Sequence, residues 1–584
     1  MNASCSSLFS LAALALAGAA ALARGQSPNP LAAAADAPAV ELPPMVVAES
    51  AAAPPWLYVK VGNMEYLSRC SAATTRSYAE EWERALQIMG AFVPDSLLPR
   101  NEIPALTILV SQKFGQSTSP ELLRELKQQA ALRDRAGFGQ APRAISYRFA
   151  PNMRLEDRDT YATFAYVDES RFDASRLTAT PAYLRFLLER RVPALPAWFI
   201  EGIDQTYRNA TLSLDEITLP DFSWVDDTQT RRLSRDAEAP RALLPANELF
   251  APDALRGAIN GNPQRVETMR AQVALFVRWA LEGGAATRDA LWQFAARAAE
   301  QPVTGPMFES CFGFGFAELR DRLSDYLPGT LHQLPRLDPG KLPRVPRPAV
   351  RPATVREIAR LRGEWERLAI GFVKNGQPEV QEHYVAQARR TLHRAYDTGD
   401  RDPRLLATLG LCELAAGDAT AARSFLEPAT AARAARPRAY YELARLRLAE
   451  VRRDQPAAKL FSPAELSPAL DLLRVGARQK PLLPEMFLLL GDALVRSSVA
   501  LTAEDFVLLD VGAAAFARRP EVSFQLALAL ARHGKRDSAA ALLAASSDYV
   551  TDDNLRARFA QLRQTLASSE PHDSGASVSA TGVR

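Results

Sequence analysis

The dipeptide Leu409-Gly410 returns 34 residues later as Leu443-Ala444, and again as Leu490-Gly491 and Leu526-Ala527. An apolar residue followed by a small one lets two helices approach closely. A short amphipathic helix pair cannot bury its apolar face alone, so recurrence at this interval implies stacking of like units. Gly417 and Gly534 each follow their copy of the dipeptide by seven residues, which places a turn between the two helices of a unit. The step from 444 to 491 is 47, so about thirteen extra residues are expected there, at Arg453 to Ser467. Thr354-Val355-Arg356-Glu357 has the spacing of a capping box and marks a helix start. Residues 353–567 are therefore expected to form an all-α array of stacked antiparallel helix pairs.

The opposite end is patterned differently. Leu8 to Ala23 is an apolar run ending in Ala21-Leu22-Ala23, the small-residue pattern a signal peptidase accepts. It is shorter than the ~20 residues of a membrane span. Residues 1–23 are expected to be a removed signal peptide and the protein to be exported, periplasmic or extracellular, with no membrane span after cleavage. Cys5 precedes the run, so no lipid anchor is expected. The remaining Cys70, Cys311 and Cys412 are odd in number and lack metal-type spacing. Residues 24–55 are rich in Ala, Pro and small residues without a period, and are expected to be a disordered linker.

Between these ends, residues 56–327 read as an α+β domain. Leu57 to Val61 and Glu65 to Leu67 flank the turn pair Gly62-Asn63, and Tyr78, Trp82, Ala85, Leu86 and Met89 recur at helical steps. Ala105 to Val110, Ile145 to Phe149 and Thr160 to Val167 are rich in β-branched and aromatic residues. Beyond Ala174 the pattern turns helical, so a small sheet followed by helices is expected. Lysine plus arginine (70) nearly balance aspartate plus glutamate (67), so no global field favours nucleic acid or anionic lipid as a partner.

The informative stretch is Pro181-Ala182-Tyr183-Leu184-Arg185-Phe186-Leu187-Leu188, followed by Leu195-Pro196-Ala197-Trp198-Phe199-Ile200-Glu201-Gly202-Ile203. It resembles the core of the peptidase MA-like gluzincins, in which a His-Glu-x-x-His helix precedes a Pro-x-Trp-x-x-Glu-Gly helix. The resemblance implies a zincin-like domain in which two histidines one turn apart and the later glutamate hold zinc. Here Glu201 matches the later ligand, but Pro181 and Arg185 stand where the histidines belong and Ala182 where the general base belongs. All five histidines fall at His332 or later, so no shift of alignment restores the site. No metal, no cofactor and no catalytic residue are expected, and the protein reads as an inactive metallopeptidase homologue. Arg185 is expected to replace the zinc as the partner of Glu201. Degenerate tetratricopeptide repeats are what the 34-residue period resembles.

Gly313-Phe314-Gly315 lacks the rest of a phosphate loop and reads as a turn between helices. Asp215-Glu216 and Asp226-Asp227 lack a calcium-loop ladder. No serine before residue 332 has a histidine base available. Residues 328–352 are Pro-rich and are expected to be a linker, and 568–584 a disordered tail. Two functions follow as expectations: a scaffold whose helical repeats bind a protein or peptide, or a hydrolase using a metal-independent site in the former peptidase cleft, with Trp198, Asp204 and Tyr207 as candidate cleft residues.

Overall fold

The computed structural model describes residues 39–44, 54–100, 102–113, 146–150, 152–173, 180–208, 210–212, 216–219, 243–251, 263–330, 336–337, 343–345, 347–454, 460–498 and 500–568. The expected signal peptide, Asp226-Asp227 and the tail beyond Ser568 lie outside these residues. Ala39–Leu42 (β1) is a strand, and Leu42, Pro43 and Pro44 are buried. The expectation of disorder across 24–55 therefore fails at residues 39–44. The composition of the stretch hid one apolar Leu-Pro-Pro sequence that finds a seat in the folded protein.

Leu57–Val61 (β2) and Met64–Arg69 (β3) form the expected hairpin, with Gly62 at φ +55° in its turn. Ala72–Phe92 (α1) then crosses over, so that Ala105–Ser111 (β4) lies parallel to β3. Such a parallel return needs a crossover of about this length. Ser146–Phe149 (β5) pairs in parallel with β1. Asn152–Glu156 (β6) is the antiparallel edge partner of Tyr161–Val167 (β7), which is itself parallel to β4. β4 is buried along its whole length because the sheet is covered on both faces. Ala105 and Leu109 enter one core while Leu106, Ile108 and Val110 enter the other, the alternation a strand imposes.

The first face carries α1, Pro181–Arg190 (α2) and Ala197–Arg208 (α3). Thr211–Leu212 (β8) and Ile217–Thr218 (β9) follow, then Ala246–Leu249 (α4), Pro263–Glu282 (α5), Ala285–Glu300 (α6), Gly305–Phe312 (α7) and Phe316–Thr330 (α8). Gly313, at φ +79°, caps α7 and turns the chain into α8, as expected of the Gly-Phe-Gly stretch. The Pro-rich segment is not a free spacer. Arg336–Leu337 (β10) pairs with β9, and Arg351–Pro352 (β11) adds a strand to the β2 edge, completing the sheet order β11-β2-β3-β4-β7-β6.

The second face is covered by the helical array itself. Val355–Gly376 (α9) begins at a capping box between Thr354 and Glu357, and sets Trp365 against Phe164 of β7, with ring centroids 5.5 Å apart. It is followed by Gln381–Asp397 (α10), Pro403–Ala416 (α11), Ala419–Ala431 (α12), Pro437–Asp454 (α13), Pro463–Gly476 (α14), Pro484–Val495 (α15), Ala503–Ala515 (α16), Pro520–Arg532 (α17), Arg536–Ser546 (α18) and Asp553–Ser568 (α19). Pro403, Pro463, Pro484 and Pro520 each open a helix, where a missing N–H costs nothing. Gly417 and Gly534 are left-handed, at φ +89° and +77°, in the turns where the repeat pattern places them. A Cβ on Gly410 would stand 2.5 Å from Leu426 of α12, and one on Gly363 of α9 would stand 2.3 Å from Leu392 of α10. Gly363 is thus a further copy of the small position. The expected thirteen-residue excess is partly absorbed by α13, which runs to Asp454. In the α15/α16 unit the pairing is loose, and α15 packs more extensively on α17 than on α16.

Sheet and array are locked together by a buried ionic network. Asp157 and Asp159 stand in the β6–β7 turn, Glu364 and Arg367 on α9, and Arg436 and Arg438 at the start of α13. Arg436 bridges Asp159 (3.1 Å) and Glu364 (2.9 Å), Arg367 bridges Asp157 (2.7 Å) and Glu364 (2.6 Å), and Arg438 also pairs with Asp157. Burial alone would raise the Glu364 carboxyl, but Arg367 and Arg436 hold it well below the usual carboxylate range.

Candidate functional site

Thr180 caps α2 by accepting from the Tyr183 amide (3.3 Å), and Pro181 occupies the first turn. α3 packs on α5 so closely that a Cβ on Gly202 would lie 2.8 Å from the Val273 carbonyl oxygen and 2.6 Å from a Val277 methyl carbon. The Glu-Gly pair of the motif thus has a packing reason for its glycine. Trp198 is buried among Phe250, Phe276 and Phe294, with ring centroids 5.0, 5.8 and 5.1 Å away.

The opposite side of α3 turns Glu201 and Asp204 toward α2. Arg185 Nη1 lies 3.1 Å from Glu201 Oε2 and 3.0 Å from Asp204 Oδ2, so the expected Arg185–Glu201 pair is present and is shared with Asp204. Arg185 Nε donates to Glu189 at 2.8 Å. Glu201 Oε1 accepts from Gln205 at 2.9 Å and meets Arg270 Nε at 3.4 Å, while Arg208 reaches Asp204 at 2.8 Å. Burial disfavours the Arg185 charge, but hydrogen bonds to Glu201, Asp204 and Glu189 outweigh that and raise its pKa.

Of the residues singled out from sequence, the fold brings together Arg185, Glu201 and Asp204. Pro181 and Ala182 are half-buried one turn earlier on α2. Trp198 and Tyr207 do not join the cluster. Tyr207 is buried against Phe92 (centroids 5.2 Å), where burial pushes its phenol pKa up. The two carboxylates are engaged by guanidinium groups and an amide, a donor set that does not fit zinc, which takes neutral imidazole, thiolate or free carboxylate ligands. Among the described residues, no group of three or more His, Cys, Asp or Glu is placed to hold a metal ion. Cys70, Cys311 and Cys412 are unbridged.

Concavities of other kinds lie elsewhere among the described residues, and two bear on function. The larger, about 800 Å³ and open to solvent, lies on the array between α12, α13 and α14. Its walls include Thr430, Tyr440, Leu443 and Val475, with Glu427, Arg447 and Asp471 among its charges. Arg447 pairs with Glu427 at 2.9 Å, and Asp471 with Arg474 at 3.0 Å. Arg433 is exposed at its rim in a left-handed conformation, φ +56°. The smaller, about 420 Å³, lies between α1 and the Pro-rich segment, with Arg76, Arg84, Glu80 and Arg347 around it. Neither was visible in the sequence, because each joins residues from segments whose relative placement only the fold fixes.

No family model matches the chain, and no curated protein does. Among solved structures, the chain is similar to a tetratricopeptide-repeat protein of Thermus thermophilus, at 20% identity over 34% of this chain and 98% of that one, with a TM-score of 0.22. The class of protein is thus given by its own geometry: a small two-sided sheet with helices, followed by a helical-repeat region. No helix among the described residues is long and apolar enough to cross a membrane.

Proposed function

We propose that this protein is an exported, non-catalytic scaffold that binds a protein or peptide on its helical array, and that its sheet-bearing half derives from a peptidase MA-like domain whose metal position is taken by Arg185. The observation that carries the binding reading is the open groove between α12, α13 and α14, which presents apolar and charged side chains together on stacked helices. Stacked helix pairs give extended surfaces of this kind. The Arg185–Glu201–Asp204 cluster supports the pseudopeptidase part, since the matching glutamate is satisfied without a metal. Against a metal-independent hydrolase stands the engagement of Glu201 on both oxygens and of Asp204 through Oδ2, with Asp204 Oδ1 buried and unpartnered and Tyr207 in the core. The apolar run ending at Ala23 supports export.

The binding reading is tested by placing a photo-crosslinking amino acid at Val475 in the groove and at exposed Val355 as control. A discrete protein adduct from Val475 alone is expected in native envelope; equal labelling at both positions overturns the reading. Export predicts a mature protein beginning at Arg24, and intact Met1 in purified native protein overturns it. Stoichiometric zinc in that protein would overturn the pseudopeptidase part.

A further inference from the structure

Residues 39–44 are held as a peptide ligand would be. β1 pairs in parallel register with β5, from Ala39 opposite Ser146 to Leu42 opposite Phe149, and the Ala150 amide donates to the Leu42 carbonyl at 3.0 Å. The Leu42 side chain is fully buried in the core shared by sheet and array. The next two carbonyls are each met by an aromatic donor: Tyr384 Oη donates to Pro43 O at 2.8 Å and Trp365 Nε1 to Pro44 O at 3.4 Å.

The chemistry of this seat is selective. Over Pro43-Pro44 the seat offers donors, and proline offers acceptors and no N–H, so two prolines leave no buried backbone donor to satisfy there. A proline pair is also stiff and extended before binding, which lowers the ordering cost. Strand pairing before the prolines supplies main-chain affinity, and the Leu42 pocket supplies the side-chain requirement. Burial pushes the Tyr384 phenol well above its ordinary pKa, so it stays a donor at any physiological pH.

We propose that the seat formed by β5, Trp365 and Tyr384 is a docking site for an extended apolar-Pro-Pro segment of another polypeptide, with residues 39–44 as its resident occupant in cis. This deepens the scaffold reading and rests on it, but places binding at the sheet–array junction instead of the α12–α14 groove. The strap is joined to β2 through residues 45–56, of which Trp56 is buried against the same core. Covalent attachment makes rebinding of the strap intramolecular, with an effective concentration on the order of a millimolar for short linkers in general. A partner in trans therefore competes with the strap, and severing the tether removes that competition.

The test uses the full chain with a specific protease site installed between Val47 and Ala51. After cleavage, a fluorescent peptide of the sequence from Ala37 to Met45 is titrated by anisotropy. Saturable binding at least tenfold tighter to the nicked than to the intact chain is expected. Tyr384→Phe should weaken binding about fivefold, and a peptide with both prolines replaced by alanine should lose about tenfold. The intact chain carrying Leu42→Asp should bind the peptide as the nicked chain does. No saturable binding to either form overturns the proposal, as does global unfolding on cleavage, which would make the strap structural. Dimers that exchange straps between copies also overturn it, since the occupant would then be a second copy. Crosslinking at Val475 is read separately, so failure here is distinguishable from failure of the scaffold reading.

Discussion

The arginine–carboxylate clusters at Arg185 and at Arg436 are similar in composition but lie in very different surroundings. At the motif helices, Arg185 is 39% exposed while it holds Glu201 and Asp204. At the junction, Arg436 is 11% exposed and its partner Asp159 1%. Water can take over part of the work of Arg185, whereas at the junction Arg367 remains for Glu364 but Asp159 keeps only neutral donors such as the Arg438 amide. The first cluster is therefore a local tie between two helices, and the second is a buried element of a sheet–array junction that also shares an apolar core. The difference teaches that the pairing itself says little about energetic importance; access of solvent to the pair decides it.

The largest effect is expected from Arg436→Ala. It leaves Asp159 and Glu364 buried without this counter-charge and should cost about 3–5 kcal/mol in urea unfolding. A loss below about 1 kcal/mol would remove the contrast between the clusters. The same network predicts an acid limb. Because the folded-state pKa of Glu364 lies below its unfolded value of about 4.3, its contribution is present above that pH and is lost as pH falls below it. Glu65, also lowered (burial opposes, but Arg360 and Tyr58 bonds prevail), adds in the same direction. Stability measured from pH 7 downward should hold until about pH 5 and then fall, and Arg436→Ala should flatten that fall.

Next is Gly202→Ala, which strikes the shallow cluster from behind. The added methyl meets a backbone carbonyl oxygen at 2.8 Å that cannot swing away, so α3 must back off α5. A loss of about 1–3 kcal/mol is expected, with Glu201 displaced from Arg185. Unchanged thermal unfolding would mean that the helices have slack there.

How much of this was legible in sequence follows from where information is local. The repeat period, the turn glycines, the Thr354–Glu357 cap and the β2–β3 hairpin depend on near neighbours, and the chain displays them. The Arg185–Glu201 pair was legible because two helices sixteen residues apart had a motif to align on. The junction was not. Arg362, Glu364, Glu366 and Arg367 sit buried on α9 between Leu361, Trp365 and Leu368, and a sequence pattern assigns such charges to solvent. Glu364 and Arg367 meet Arg436 and Asp157 across 72 and 210 residues, and Arg436 and Arg438 reach Asp159 and Asp157 across 277 and 281. Charges inside an otherwise apolar helix were the available signal. The strap at residues 39–44 was missed for the complementary reason: two prolines in a low-complexity stretch look featureless until the donors that receive their carbonyls are in place.

Arg185→Ala comes third. The notional cost of stranding buried Glu201 and Asp204 is reduced because Glu201 keeps Gln205 and Arg270, Asp204 keeps Arg208, and the vacated space opens to water. About 1 kcal/mol is expected from thermal or urea unfolding. A loss near that of Arg436→Ala would show that exposure does not separate the clusters.

The smallest effect is expected from Arg208→Ala. Arg208 is 54% exposed and contacts Asp204 at 2.8 Å from one turn along the same helix. A pair of this kind gains little, because the charged side chain surrenders rotamer freedom and solvent screens the attraction; exposed i,i+4 pairs contribute about 0.3–0.5 kcal/mol. Asp204 retains Arg185, which approaches from α2. The substitution should therefore cost no more than about 0.5 kcal/mol in low salt. Raising the ionic strength shortens the reach of such exposed charges, so the difference from wild type should shrink further in ~1 M salt. The informative comparison is the double variant. If Arg208 and Arg185 share Asp204, removing both must cost more than the sum of the single losses, because only then does a 1% exposed carboxylate lose both of its guanidinium partners. Strict additivity would mean that Asp204 is held by something other than these two arginines, and the shallow cluster would then be no cluster at all.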